Sequence, residues 1–419
     1  MTALTEPAAR TLRRLPTTVW VLVCVVFVSS MCAGAVAPVL TERTAELAET
    51  AAVPGIVSAF FLARLLFTPL AGRLVTGGLA RRMLPAGLLL TAVGTGPAGL
   101  ADSYWQLMAL RVIGGVGSAT FTVSAVALLV AAAPQALRGR AFGVWSVGFE
   151  VGTVVGPMTG AGLVALSRSA PFTVTGMCLA LAALTVALLP AGPAGRRAGG
   201  AGKSEAAGEA GTDAAGGDGP MVRMREVLAL PAYRAALLSN FAIGWGAYGI
   251  QVSLVPLFVT ARFEQGTALA SLALTVFAVG NVAVLPFAGR ITDSRGRRPV
   301  AVLGLALFGL GLAGVGLSTS PVPLLAAALV TGAGCGVTGP AHGAAVADVI
   351  GPDARGGSAL AGFQVTADVG AVAGPLLAGA AAQAFSFPAA FLLTAAVPAL
   401  ALVAWLRAPE TRPADPRAV

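Results

Sequence analysis

Apolar residues run through this chain in long unbroken blocks rather than at the spacing of a half-buried helix or strand. Blocks of spanning length fall at about 17–40, 52–72, 83–101, 104–131, 141–166, 170–190, 233–259, 267–288, 299–318, 321–347, 357–384 and 386–407. As helices rising 1.5 Å per residue, they match a hydrocarbon core of about 30 Å. Polar and charged residues gather in the breaks between them. The pattern predicts an all-α membrane protein of twelve transmembrane helices.

The blocks fall into two sets of six. Between them, Ala191 to Pro220 is rich in Gly and Ala without a helical apolar period, the composition of a flexible linker. Met221 to Arg234 then mixes Arg223, Arg225 and Glu226 with Val and Leu, which predicts a short helix lying on the membrane face. Landmarks repeat at nearly one offset: Gly72-Arg73-Leu74 returns as Gly289-Arg290-Ile291 and Arg138 as Arg355, both 217 residues on. Gly152, Gly156 and Pro157 return as Gly370, Gly374 and Pro375, 218 residues on. The predicted organisation is an N-terminal tail (1–16), a six-helix bundle (17–190), a linker with the interfacial helix (191–232), a pseudo-symmetric second bundle (233–407) and a C-terminal tail (408–419). Duplicated bundles place a substrate site between them, near the bilayer midplane.

Composition agrees: of 419 residues, 56% are hydrophobic and 11% charged, less than half the charge of a soluble domain. The net charge of +9 does not signal nucleic-acid binding, because the basic residues are not in one patch. With both termini cytoplasmic, 22 of the 27 Lys and Arg fall in inner segments, three in outer loops (Arg43, Arg168, Arg262) and two within spans, as the positive-inside rule requires. Arg10, Arg13 and Arg14 before an apolar run imitate a secretory signal, but the run is longer than such an h-region; it is read as the first span. Cys24, Cys32, Cys178 and Cys335 lie inside apolar runs, without disulfide or metal-ligand spacing. Arginine outnumbers lysine 26 to 1 and Ala and Gly dominate, pointing to a GC-rich bacterial genome and the cytoplasmic membrane.

Residues 289–298 read Gly-Arg-Ile-Thr-Asp-Ser-Arg-Gly-Arg-Arg. With Gly289, Asp293, Gly296, Arg297 and Arg298 in place, the segment resembles the G-x-L-x-D-R-x-G-R-R signature of the major facilitator superfamily. A first copy keeps Gly72, Leu74, Arg81 and Arg82 but has Thr76 where the Asp belongs. In the fourth span, Leu107, Arg111, Gly114, Gly115 and Gly117 resemble the family's L-x-x-x-R-x-x-Q-G-x-G pattern, with Gly at the Gln. In the fifth, Gly152, Gly156, Pro157 and Gly160 resemble the G-x-x-x-G-P-x-x-G-G pattern of its drug/proton antiporter branches, with Ala161 at the last position. The resemblance covers about 17–407. It implies a monomeric transporter working by alternating access, with the bilayer, a small-molecule substrate and protons as partners and no cofactor beyond the proton gradient.

Gly148, Gly152, Gly156 and Gly160 recur every fourth residue, a side-chain-free ridge that lets another helix approach closely. The resemblance places this seam, with Gly370, Gly374 and Pro375, between the bundles. Four charges lie within spans: Arg64, Arg111, Glu150 and Asp368. Each costs at least about 2.5–3.5 kcal/mol at the bilayer centre on insertion scales, which makes them candidates for coupling protons. Counting along the helices puts Arg64 roughly 18 Å from one surface and Glu150 roughly 13 Å from the other, so these two are expected to pair, with Arg111 as the alternative. Glu150 points about 200° from Gly148 at 100° per residue, which suggests that it faces its own half. Glu150 and Asp368 are repeat mates, and packing or neutral hydrogen bonding competes with proton coupling for both.

Asp348 and Arg355 are expected to join Asp293, Arg297 and Arg298 in a cytoplasmic network closing the inner gate. Ser29, Ser30, Asn240, Trp245, Tyr248, Gln251, Asn281 and Gln364 are candidates to line the cavity. His342, the only histidine, reads foremost as a packing residue. One His and four scattered Cys supply neither a nucleophile with its base nor a metal cluster, so catalysis is not expected. The reading is a proton-coupled exporter of a drug or secondary metabolite; a facilitator or proton symporter for a nutrient such as a sugar is the alternative.

Overall fold

The computed structural model describes residues 15–48, 52–75, 79–133, 137–188, 224–350 and 357–412. Twelve helices in it are long and apolar enough to cross a membrane. They are α1 (Thr17–Leu47), α2 (Val53–Leu74), α3 (Ala80–Leu100), α4 (Tyr104–Ala132), α5 (Arg138–Val164) and α6 (Ala170–Leu188), then α7 (Pro231–Arg262), α8 (Gly266–Arg295), α9 (Arg297–Leu317), α10 (Pro321–Ile350), α11 (Gly357–Ala384) and α12 (Phe387–Arg407). The chain crosses an even number of times, so α1 begins and α12 ends on one side. That side carries Arg73, Arg81, Arg82, Arg295, Arg297, Arg298 and Arg407, and is called the arginine-rich side below.

Helices α5, α8 and α10 run several residues past their apolar blocks on this side. The last turns of α8 and α10 carry Asp293 and Asp348, both of which meet Arg297. A short helix, Met224–Ala229, precedes α7; its Val227 is 2% exposed and packs with Tyr233, Val300 and Trp405. It is anchored in the second bundle and not only laid on a surface.

Helix α7 has a wide π-helical turn at Gly244–Ile250. Three glycines let it pack closely on its neighbours: a Cβ on Gly244 would strike the Ala367 backbone, one on Gly246 the Phe308 ring, and one on Gly249 the Pro375 ring.

The glycine ridges join helices of the same half, which corrects their expected place between the bundles. A Cβ on Gly148 would press on Val23, one on Gly152 on Ser30 and the Phe27 carbonyl, one on Gly156 on Gly34 and Met31, and one on Gly160 on Ala35, all in α1. Their repeat mates Gly370 and Gly374 meet Phe241 and Trp245 of α7. Pro157 sits against Gly34 and Pro375 against Gly249. Periodicity identified a close-packing face; it carries no information on which helix occupies it.

Between the halves, α2 lies along α11 and α5 along α8. From the far side inward, Pro54 abuts Gly379, Ser58 Oγ donates to Val372 O at 2.9 Å, and Arg64 meets Asp368. At the far end Thr267 Oγ1 donates to Glu42 Oε2 at 3.0 Å. Two apolar clusters cross the boundary: Val53 of α2 joins Leu254, Val255 and Phe258 of α7, and Val154 of α5 joins Phe277 and Ala278 of α8. Both crossings lie toward the far side. The large clusters on the arginine-rich side, around Leu22, Leu88 and Leu129 in one half and Tyr233, Leu305 and Trp405 in the other, each stay within their own half.

Candidate functional site

The four intramembrane charges do not pair as their depths suggested. Arg64 Nε lies 3.6 Å from Asp368 Oδ1, joining α2 to α11. Glu150 Oε2 instead accepts a 2.7 Å hydrogen bond from Asn281 Nδ2 of α8. Glu150 therefore faces the opposite half and not its own. Counting residues fixes a side chain's depth, while its azimuth follows from the packing of α5 on α1, which turns Glu150 outward from that seam.

Arg111 takes neither acid. Its guanidinium carbon stands 4.6 Å from the centroid of the Phe60 ring, in the same half, and its Nε is buried without a hydrogen-bond partner. A cation over an aromatic face recovers part of the lost hydration. Helix α4 reaches α2 this closely because Gly115 touches the Phe60 carbonyl and Arg64 backbone, while Gly114 and Gly117 admit Gly94 and Thr91 of α3.

Tyr248, at the π-helical turn of α7, lies in the electrostatic field of Glu150, Arg64 and Asp368, and Cys335 of α10 in that of Glu150. Tyr248 keeps 37% of its surface accessible, and the Arg64 side chain 31% against 14% for Asp368. Arg64, Glu150, Tyr248, Asn281, Cys335 and Asp368, from six helices and both halves, thus form one polar cluster. The turn in α7 was not anticipated; its only signal is the Gly244-x-Gly246-x-x-Gly249 spacing beside two polar aromatic residues.

The other cavity candidates divide. Ser30 Oγ donates to Phe27 O at 3.1 Å, Asn240 Nδ2 to Phe363 O at 2.5 Å, and Trp245 Nε1 to Thr394 Oγ1 at 3.4 Å, each within its own half. Ser29 is half-buried, Gln364 exposed, and Gln251 2% exposed. His342 is 7% exposed, with its ring edge-on to Phe363 at 5.1 Å.

On the arginine-rich side, Arg297 Nε binds Asp348 Oδ2 at 2.9 Å and its NH1 approaches Asp293 Oδ1 at 3.5 Å. Three of the expected members meet, but every partner belongs to the C-terminal bundle, so these bonds brace that bundle and do not bridge the halves. Arg298 NH2 donates to Leu406 O at 2.6 Å. Arg355 lies outside the described residues; Gly72 and Gly289 have open space where a Cβ would stand, and Arg81 and Arg82 open α3.

The tail adds a residue that the sequence reading missed. Glu410 accepts from the backbone N–H groups of Arg297 at 2.8 Å and Arg298 at 3.0 Å, the free first-turn donors of α9. Gly296, at φ +101°, makes the turn into α9, and a Cβ there would meet the Glu410 carboxylate. Burial pushes the Glu410 carboxyl up, but backbone donors from Arg297, Arg412, Arg298 and Thr411 outweigh it and hold it below the ordinary glutamate value.

A family model described as the Major Facilitator Superfamily matches residues 20–266 and 236–419. The chain belongs to this superfamily. As a major facilitator it is a multi-pass membrane transporter, and its relatives include drug-resistance proteins. It is 29% identical over 362 residues to a chloramphenicol resistance protein of Streptomyces lividans, covering 85% of this chain and 86% of that one. It is 26% identical over 363 residues to the class G tetracycline resistance protein of Vibrio anguillarum, covering 84% and 87%. Among solved structures, a bacterial homologue of the human lysosomal transporter Spinster, inward-facing and occupied, superposes with a TM-score of 0.69 at 14% identity, over 93% of this chain and 95% of that one. The human organic anion transporter MFSD10 gives 0.63 at 18%, over 93% and 98%. These two likenesses concern the fold.

Proposed function

We propose that this facilitator exports a small organic compound, of the drug or secondary-metabolite class, across a bacterial cytoplasmic membrane in exchange for protons. The arginine-rich side is cytoplasmic in this reading, with both termini, as the distribution of basic residues favours. Sealing contacts toward the far side and separate clusters on the arginine-rich side then make this the form open to the cytoplasm. The resistance proteins among the relatives support export and this class of cargo.

The observation that carries proton coupling is the Arg64–Asp368 pair across the halves. A proton on Asp368 removes the attraction that ties α2 to α11; loss of that proton restores it. Glu150 is the corresponding acid of the other half, held by Asn281 across the second seam. A proton on Glu150 takes the charge from that acceptor and weakens the bond, so protonation acts on both seams, and an equilibrium between two packed arrangements shifts when one of them loses part of its contacts.

The test uses purified protein in liposomes with an internal pH dye, comparing the wild type with Asp368→Asn and Glu150→Gln while chloramphenicol, tetracycline or a sugar is added. Proton movement evoked by a drug and lost in either variant supports antiport. Drug transport that proceeds without a gradient and survives both substitutions refutes it and favours a facilitator.

A further inference from the structure

Most of the polar side chains along α7 are satisfied. Ser239 accepts from Trp405 Nε1 at 2.7 Å, Asn240 and Trp245 are bonded as described, Ser253 Oγ donates to Gly249 O at 2.8 Å, and Thr260 Oγ1 to Pro256 O at 3.0 Å. Gln251 breaks the series. It is 2% exposed, and neither its amide nitrogen nor its amide oxygen has a hydrogen-bond partner. A carboxamide in this state has lost water at both ends and gained nothing.

Its place in the fold gives the vacancy a direction. Tyr248, three residues earlier and thus on the adjoining face one turn below, stands in the field of Glu150, Arg64 and Asp368. Leu254 and Val255, one turn above, pack with Val53 of α2 in the seal between the halves. Along α7, Gln251 therefore lies between Tyr248 of the charged cluster and the residues that pack with Val53 in the seal. The wide turn just before it ends at Ile250, so the helix is least regular where this side chain departs.

We propose that Gln251 is a specificity-determining residue that recognises cargo carrying a hydrogen-bond acceptor and donor side by side, the chemistry of a primary carboxamide or a lactam. Its Nε2 donates to the cargo carbonyl while its Oε1 accepts from the cargo N–H, so both orphaned atoms are satisfied together. An ester of the same shape offers the carbonyl alone and leaves Oε1 unpaired. Sites built around such a pair reject the analogue that lacks one member. The proposal rests on the exporter reading for the identity of the cargo, but its test needs neither export nor a proton gradient.

The test is calorimetric binding of 2-naphthamide and of methyl 2-naphthoate to the purified full-length protein, for the wild type, Gln251→Leu and the volume-conserving Gln251→Met. Expected is a wild-type preference of about tenfold for the amide, the worth of one hydrogen bond, that vanishes in both variants because the amide loses two hydrogen bonds and the ester only one. Equal weakening of both ligands marks a structural role and overturns the proposal, as does a preference that persists in the variants or its absence, with or without binding, in the wild type. If the preference depends on Gln251 while the liposome assay shows no export, the transport reading falls and this one stands.

Discussion

Arg64 of α2 and Asp368 of α11 form an ion pair that no single half contains. The pair stands near the inner limit of a line of contacts that begins with Pro54 against Gly379 and passes through Ser58 and Val372. Its two ends are unequally wetted, with Arg64 the more accessible. Its loss costs well under the ~3–5 kcal/mol measured for fully buried pairs.

Asp368→Asn is accordingly expected to lower the melting temperature in detergent by only a few degrees while abolishing drug-evoked proton movement. The exchange Arg64→Asp with Asp368→Arg restores the melting temperature without restoring coupling, because the protonatable group then sits on the other helix. Recovery of full antiport in the exchanged protein counts against a directional role for Asp368.

Cross-linking tests which contacts must separate. Cysteines at Pro54 and Gly379, where a Cβ on the glycine stands 3.0 Å from the proline Cβ, are close enough for a disulfide after small adjustment. Oxidation is expected to reduce transport at least tenfold, and reduction to restore it; undiminished transport by the oxidised protein means that this seam never opens.

The glycine ridge predicts a contrast within one helix. Gly152→Val and Gly160→Val force side chains into the α1 backbone and are expected to destabilise by about 1–3 kcal/mol or more. Gly162→Ala, where a Cβ meets nothing within 4 Å, leaves stability within about 0.5 kcal/mol of the wild type. Melting temperature and the monodisperse fraction report both.

The Glu410 clasp carries a pH dependence of definite sign. Its folded-state carboxyl titrates below the ordinary value near 4.3, so its stabilisation is complete above that value and is lost as pH falls through the lower, folded one. Limited proteolysis at the C-terminus is expected to accelerate below about pH 4.3, and Glu410→Gln to produce that sensitivity already at pH 7. Gly296→Ala, strained at φ +101°, loosens the same clasp at a cost of about 1–3 kcal/mol.

The twelve spans, the duplication and the family signatures were legible because each depends on residues near one another in the chain. That Arg64, Glu150 and Asp368 lie within the spans was legible as well, since each interrupts an apolar block. Partners were not. Glu150 finds Asn281 instead of Arg64 because the α1–α5 seam sets its direction, and the assignment of that seam to a same-half neighbour depends on how six helices pack. Glu410 escaped notice for a different reason: a lone carboxylate beyond the last span has no pattern, and its role arises only where the tail folds back on the first turn of α9.

The glycine seams also determine where strain travels. With α5 packed on α1 and α11 on α7 backbone to backbone, the closest seams lie inside each bundle, while the joints between bundles at α2/α11 and α5/α8 are made by side chains. Under the export reading, cargo that enters between the bundles then meets two bodies that move as units, and its size as well as its chemistry bears on how far they part.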